Sequence, residues 1–235
     1  MYAPWTLTGE SIIALARCRD SLGPLPPELR RMRGPVLVVA VRYDGSPVGP
    51  YLELGIGEPA RLGPRLGWCF TTMVVDSAES RTDGRANWGF PKELGSLTWD
   101  RDGEERELRW AERQLVVRGV PTALRAPMLV PVRTLQRRGD RPVVVPGRLR
   151  GLARYAHVDV EVPTDDQLSP LAGPHRGATV DGMRFVVRPA RQPFGLTSTL
   201  RAPLHAPEPA LSSAVPPGAW SSAGSSLRST DGRGV

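Results

Sequence analysis

The sequence predicts an α+β chain that is mostly β: a curved, largely antiparallel sheet or cone-like barrel with a few short outer helices. Two observations carry this. Short runs rich in β-branched and aromatic residues recur along the chain, separated by turn signals. The 25 prolines among 235 residues also punctuate it every few positions, which excludes long helices and favours short strands and turns. No repeat with a period of about 20 to 50 residues is present.

Pro35 to Tyr43 (PVLVVAVRY) reads as a buried strand, closed by the turn signal Asp44-Gly45. Tyr51 to Ile56 and Cys69 to Val75 are the next two strands. Ser96 to Trp99 precedes a second turn signal, Asp102-Gly103. Beyond it Leu108 and Trp110 alternate with charges, and Gln114 to Val120 continues the pattern as strand or as one amphipathic helix, which Pro121 would end. Arg141 to Val145, Ala153 to Val162 and Met183 to Val187 complete the strands. In Ala156 to Val162 the alternation is clean, so one face packs and the other meets water or a partner. Helix candidates are Pro26 to Met32, Asp165 to Leu171, and a helix of about two turns stopping before Gly89. The last would be opened by Asp76 and Glu79 as a variant capping box.

Residues 1–205 have one texture and are read as one domain. From Ala206 to Val235, 20 of 30 residues are Ala, Ser, Pro or Gly, which predicts a disordered tail. Hydrophobic content of 40% and charged content of 23% fit a soluble globular chain. The net charge of +7 raises nucleic-acid binding. Against it, the arginines are scattered, and no zinc-finger, helix-turn-helix or aromatic RNA-binding pattern appears. Cys18 and Cys69 fit no metal or redox spacing, so they are expected to be reduced and buried, and His157, His175 and His205 lie far apart. No metal or cofactor is expected, and no nucleic acid. No apolar run approaches the roughly 20 residues of a membrane span, and no leader is recognised. The expectation is a cytoplasmic protein without membrane contact.

One residue stands apart. Of 31 basic residues, a single one, Lys92, is lysine. Arginine can replace lysine wherever a cation needs only to be solvated or paired. It cannot do so where the nitrogen must lose its proton and attack carbon, because a guanidinium stays charged. Lys92 sits in Trp88-Gly89-Phe90-Pro91-Lys92-Glu93-Leu94-Gly95. Trp88 and Phe90 offer an apolar wall, Gly89 permits a tight turn, and Pro91 holds Phe90 extended. Such surroundings disfavour an ammonium by desolvation.

Gly84-Arg85 followed by Trp88-Gly89-Phe90-Pro91-Lys92, with Pro50-Tyr51-Leu52-Glu53 and Met73-Val74-Val75-Asp76 upstream and Pro4-Trp5 at the start, resembles the acetoacetate decarboxylase superfamily over about residues 4–130. The resemblance implies a Schiff base between Lys92 and a small ketone, keto acid or dicarbonyl, with decarboxylase-type lyase, aldolase or dehydratase chemistry. It implies that Glu53 orients substrate or moves protons. Around them Tyr51, Met73, Arg85, Trp88 and Phe90 are taken as substrate-binding. Met73 is read as pocket lining or plain core, and Arg85 as a carboxylate ligand or a partner of Asp76 or Glu79. A homo-oligomer is implied as well. Three positions depart from the decarboxylase: Glu93 where it has a second lysine, Glu10 where it has an active-site arginine, and Val38 where it has an acid. They favour the alternative of a small-ligand binding or accessory protein.

Overall fold

The computed structural model describes residues 1–18 and 20–193. The expected boundary at 205–206, the tail and His205 lie outside the described residues. The strands are β1 Trp5–Ala16, β2 Arg30–Arg31, β3 Val36–Gly45, β4 Tyr51–Leu62, β5 Arg65–Val75, β6 Lys92–Leu94, β7 Leu97–Asp102, β8 Glu105–Trp110, β9 Leu115–Arg138, β10 Arg141–Glu161 and β11 Gly173–Val187. One α-helix, α1 Ala78–Trp88, joins β5 to β6.

All the strands belong to one sheet, ordered β6-β5-β4-β3-β1-β11-β10-β9-β8-β7, with β2 on the side of β4. Pairing is antiparallel except for β5–β6 and a single bridge, Trp68↔Thr134, where β5 comes round to β9. The mostly-β class and the curved, largely antiparallel sheet therefore hold. The sheet keeps two ends, β6 and β7, and is not a closed barrel.

Both faces of the curve are packed. One cluster sets Ile12, Ala40, Leu54 and Val74 against Leu97, Leu108, Val117 and Val158 from the other end of the sheet. The opposite face gathers Val41, Tyr43, Tyr51, Met73, Trp88, Phe90, Val180 and Met183, and this face carries the site.

Several elements differ from expectation. The strand Trp5–Ala16 at the centre of the sheet was not foreseen: it is buried on both faces over much of its length, so its pattern lacks clean alternation. The strands β9 and β10 are 24 and 21 residues long despite their prolines. The Val144 N–H bonds Arg191 O at 2.8 Å, away from β9. Pro142 and Pro146 share that side of β10, so their missing N–H groups cost the β9–β10 ladder nothing. Pro26 to Met32 is not helical. A turn bonds Leu29 N–H to Pro26 O, and two residues then pair with β4.

The Asp165 to Leu171 segment shortens to a single 3-10 turn, Ser169–Leu171. Leu108 to Val120 resolves as strand, one 3-10 turn (Ala111–Arg113) and strand, not as an amphipathic helix. The Asp44-Gly45 turn falls later, closed by Gly49 N–H to Ser46 O. Cys69 is buried, but Cys18 is partly exposed; both are free thiols.

Candidate active site around Lys92

The helix α1 begins at Ser77, whose hydroxyl accepts from Ser80 N–H at 3.1 Å. Asp76, expected to cap, instead accepts from Leu52 N–H at 2.7 Å and ties the helix entrance to β4. The helix runs about three turns and ends at Gly89 (φ 70°, left-handed), whose N–H bonds Arg85 O. A side chain at Gly89 would also collide with Arg137 O, 2.2 Å from its Cβ position. Pro91 then sends the chain into β6, where Lys92 pairs with Met73 of β5.

Ser80, Gly84 and Trp88 are the buried residues of α1, spaced by four along one face. Gly84 leaves room for the lysine stem: a Cβ there would stand 2.7 Å from Lys92 Cδ and 2.9 Å from Cε. The Ser80 hydroxyl accepts from Lys92 Nζ at 2.9 Å. From β4, Glu53 Oε2 lies 2.6 Å from Nζ without hydrogen-bond alignment, so the contact is an ion pair first. The ring centroid of Tyr51 is 5.2 Å from Nζ, a cation–π distance. Lys92 is only 3% exposed and Glu53 only 8%. Arg85 Nε donates to Lys92 O at 2.6 Å and so fixes the backbone under the amine; this contact replaces the pairing with Asp76 or Glu79.

The aromatic residues around the pair pack against one another. The rings of Tyr43 and Tyr51 lie 4.7 Å apart, centroid to centroid. Burial, then the Glu53 charge, pushes both phenols well above their usual range, with a Ser80 hydrogen bond opposing this at Tyr51. Both are therefore protonated donors at neutral pH. Trp88 stands edge-on to Trp5 at 5.1 Å and donates its indole N–H to Arg188 O at 2.8 Å. Phe90 lies 5.7 Å from Trp88 and 6.2 Å from Phe70. Met73 is buried on the same face.

The structure thus brings Lys92, Glu53, Tyr51 and Met73 together, places Trp88 and Phe90 as the wall, and puts Arg85 behind the lysine backbone. Sequence reasoning missed Ser80 and Tyr43. The four-residue steps from Ser80 to Gly84 to Trp88 were the available signal. Among the departures, Glu93 is exposed, away from the buried amine. Val38 packs in the other cluster, with Ile12 and Ala40. Glu10 is engaged elsewhere, with Arg42, Arg101 and the fully buried Arg106.

Residues 23–120, which include Glu53, Ser80 and Lys92, match the family model of acetoacetate decarboxylase. Solved structures agree in fold. Acetoacetate decarboxylase from Legionella pneumophila superposes with a TM-score of 0.63 at 16% identity, covering 82% of this chain and 88% of that one. The chain has the fold of acetoacetate decarboxylase. The enduracididine biosynthesis enzyme MppR, solved with pyruvate, is as near: TM-score 0.63, 15% identity, 82% and 91% coverage. An acetoacetate decarboxylase-like enzyme from Sphingomonas wittichii RW1 gives 0.54 at 15% identity, over 81% and 91% of the two chains. No curated protein sequence matches significantly. No helix among the described residues is long and apolar enough to cross a membrane.

Proposed function

We propose that this chain is a Schiff-base lyase acting on a small keto acid or dicarbonyl through Lys92. The observation that carries the reading is the buried Lys92–Glu53 pair with Ser80 on the same nitrogen. A lysine held in apolar surroundings is a known way to obtain a nucleophilic amine, and acetoacetate decarboxylase is itself the standing example. Glu53 is positioned to take the proton that the ammonium must lose. The free amine then adds to the carbonyl carbon. Glu53 returns the proton to the carbinolamine oxygen, which leaves as water, and a C=N⁺ bond remains. Electrons from a departing carboxylate, or from a deprotonated α-carbon, flow into that iminium to give an enamine; its carbon then takes up a proton, or attacks a second carbonyl, to re-form the iminium, which water hydrolyses to restore Lys92. Tyr51 and Ser80 orient the nitrogen, and Met73, Trp88 and Phe90 keep water away. On this reading the departures Glu93, Glu10 and Val38 alter the surroundings and leave the nucleophile intact. The proposal extends to a cytoplasmic homo-oligomer, checked by fractionation and by sedimentation.

The test is trapping. The protein is incubated with a panel of keto acids, pyruvate included, and reduced with borohydride; intact mass and peptide mapping then locate the adduct. A single lysine confines it to Lys92 or the N-terminal amine. Lys92→Arg keeps the charge and abolishes the Lys92 adduct. Absence of any adduct at neutral pH would overturn the enzyme reading. The sealed amine favours one other reading, a small-ligand binding or accessory protein without turnover, which reversible keto-acid binding without trapping would support.

A further inference from the structure

The amine of Lys92 is buried, yet the proposed chemistry, on which this inference rests, needs a carbonyl compound to reach it. A cavity of about 310 Å³ is lined in part by Gly89 and Pro91, on the segment that leads into Lys92. Pro24, Pro26, Phe70 and Pro91 supply apolar walls, and Thr71 and Gln136 bring polar groups. Gln136 is buried and Thr71 Oγ1, also buried, has no hydrogen-bond partner. The lining suits a short carbonyl compound, its carbon chain against the prolines and Phe70 and its oxygen toward the Thr71 hydroxyl or the Gln136 amide.

Phe70 lines this cavity and also touches the row of residues that holds Lys92. Lys92 of β6 pairs with Met73 of β5, and Met73 with Gly55 of β4, so the three form one cross-strand row on one face. Gly55 has no side chain to contribute, and the Phe70 ring occupies its place. A Cβ at Gly55 would stand 2.8 Å from Phe70 Cε1 and 3.8 Å from the Met73 methyl. At Gly57, two residues on, a Cβ would again meet Phe70, at 3.4 Å. Two glycines thus leave a bare strip of strand under the ring. Its other neighbour is Phe90, met edge-on two residues before Lys92. A ring lying on bare backbone is not locked by interdigitating side chains from below, and its rotation would vacate the space over Gly55, next in the row to Met73 and Lys92.

We propose that this cavity is the vestibule of the Lys92 site and that Phe70 is its gate, admitting short-chain carbonyl compounds between Pro91 and Thr71. The test reads access to Lys92 with a probe independent of the natural reaction: reductive methylation by formaldehyde and cyanoborohydride, followed at the single lysine by mass spectrometry. Phe70→Ala should raise the methylation rate of Lys92 at least tenfold over wild type, and Phe70→Leu should raise it in the same direction with less loss of packing. Adding Thr71→Trp to Phe70→Ala fills the vestibule and should return the rate to the wild-type value or below.

Equal rates in wild type and a folded Phe70→Leu protein would overturn the gate. A fast rate that persists with Thr71→Trp would overturn the vestibule. Keto-acid trapping is scored separately on the same proteins. Accelerated methylation without keto-acid trapping removes the proposed chemistry and leaves the gate. Trapping with unchanged methylation removes the gate and leaves the chemistry.

Discussion

Lys92 is held by contacts so short that single atoms decide its position. Gly84→Ala would place a methyl 2.7 Å from Lys92 Cδ, with helix backbone behind it. Alanine improves an isolated helix by about 1 kcal/mol over glycine, and here the clash should cancel that gain. The expected result is a thermal midpoint little changed or lowered and a keto-acid trapping rate down by about tenfold or more. Ser80→Ala removes one of the two close partners of Nζ and leaves the ion pair. Its expected cost to stability, read by urea titration, is about 1 kcal/mol, with slower trapping. A Ser80→Ala protein that traps at the wild-type rate would remove Ser80 from the site. Arg85 illustrates a different limit: an exposed arginine on the helix fixes the lysine backbone through one carbonyl. Its spacing from Lys92 in sequence gives no sign of that.

At the scale of the element, α1 and the turn that follows it form one device for aiming Lys92. Ser77 opens the helix, Gly89 closes it, and Asp76 anchors its entrance to β4. Ser77→Ala should cost about 1 kcal/mol of stability, measured by urea titration, without changing the pattern of trapping across the keto-acid panel. Gly89→Ala should cost more. The left-handed conformation is unfavourable for any residue with a Cβ, and the methyl would also meet the Arg137 carbonyl. A Gly89→Ala protein as stable as wild type would show that the close approach between the helix end and β9 does not matter. The helix expected from sequence as two turns runs 11 residues, about three, up to the expected end at Gly89, and its cap is Ser77 in place of Asp76, which is drawn off to β4.

Across the whole molecule, charges far apart in sequence meet in the interior. Glu10 of β1 binds Arg106 of β8 at 2.9 Å and Arg42 of β3 at 2.8 Å, and Arg106 also pairs with Asp181 of β11. Arg106 is 0% exposed. Glu10→Ala leaves a buried guanidinium short of a partner and should cost on the order of 3 to 5 kcal/mol in urea unfolding. A loss below about 1 kcal/mol, the value of a surface pair, would refute the buried-network reading. Alkaline pH should also unfold the protein by a defined route. Tyr43 and Tyr51 are pushed up by burial and by Glu53, and Cys69 by burial to about 12. In the unfolded chain these groups ionise near pH 8.5 for the thiol and about 10 for the phenols. The unfolded state therefore sheds protons first. Stability is fully present below about pH 8.5 and falls as pH rises through 10 and beyond. A urea midpoint that stays flat from pH 7 to 11 would contradict this.

The sequence by itself determined the class of the fold, most strand positions, the helix end at Gly89 and the singling out of Lys92 as a candidate. These are local facts: β-branched runs, turn residues, and a lone amine in a chain that uses arginine elsewhere. Glu53, Tyr51 and Met73 became readable through resemblance, and the structure places them around the lysine. Only the tertiary structure decided that β1 lies at the sheet centre, that β9 and β10 run through their prolines, and that Ser80, Gly84 and Tyr43 surround the site. Only it set Arg85 behind Lys92, Glu10 in a separate buried network and Val38 in the other cluster. The physical reason is that strand order, cross-strand register and the matching of faces depend on partners distant in the chain. A residue's own neighbours state its preferences, and the sheet decides what it meets.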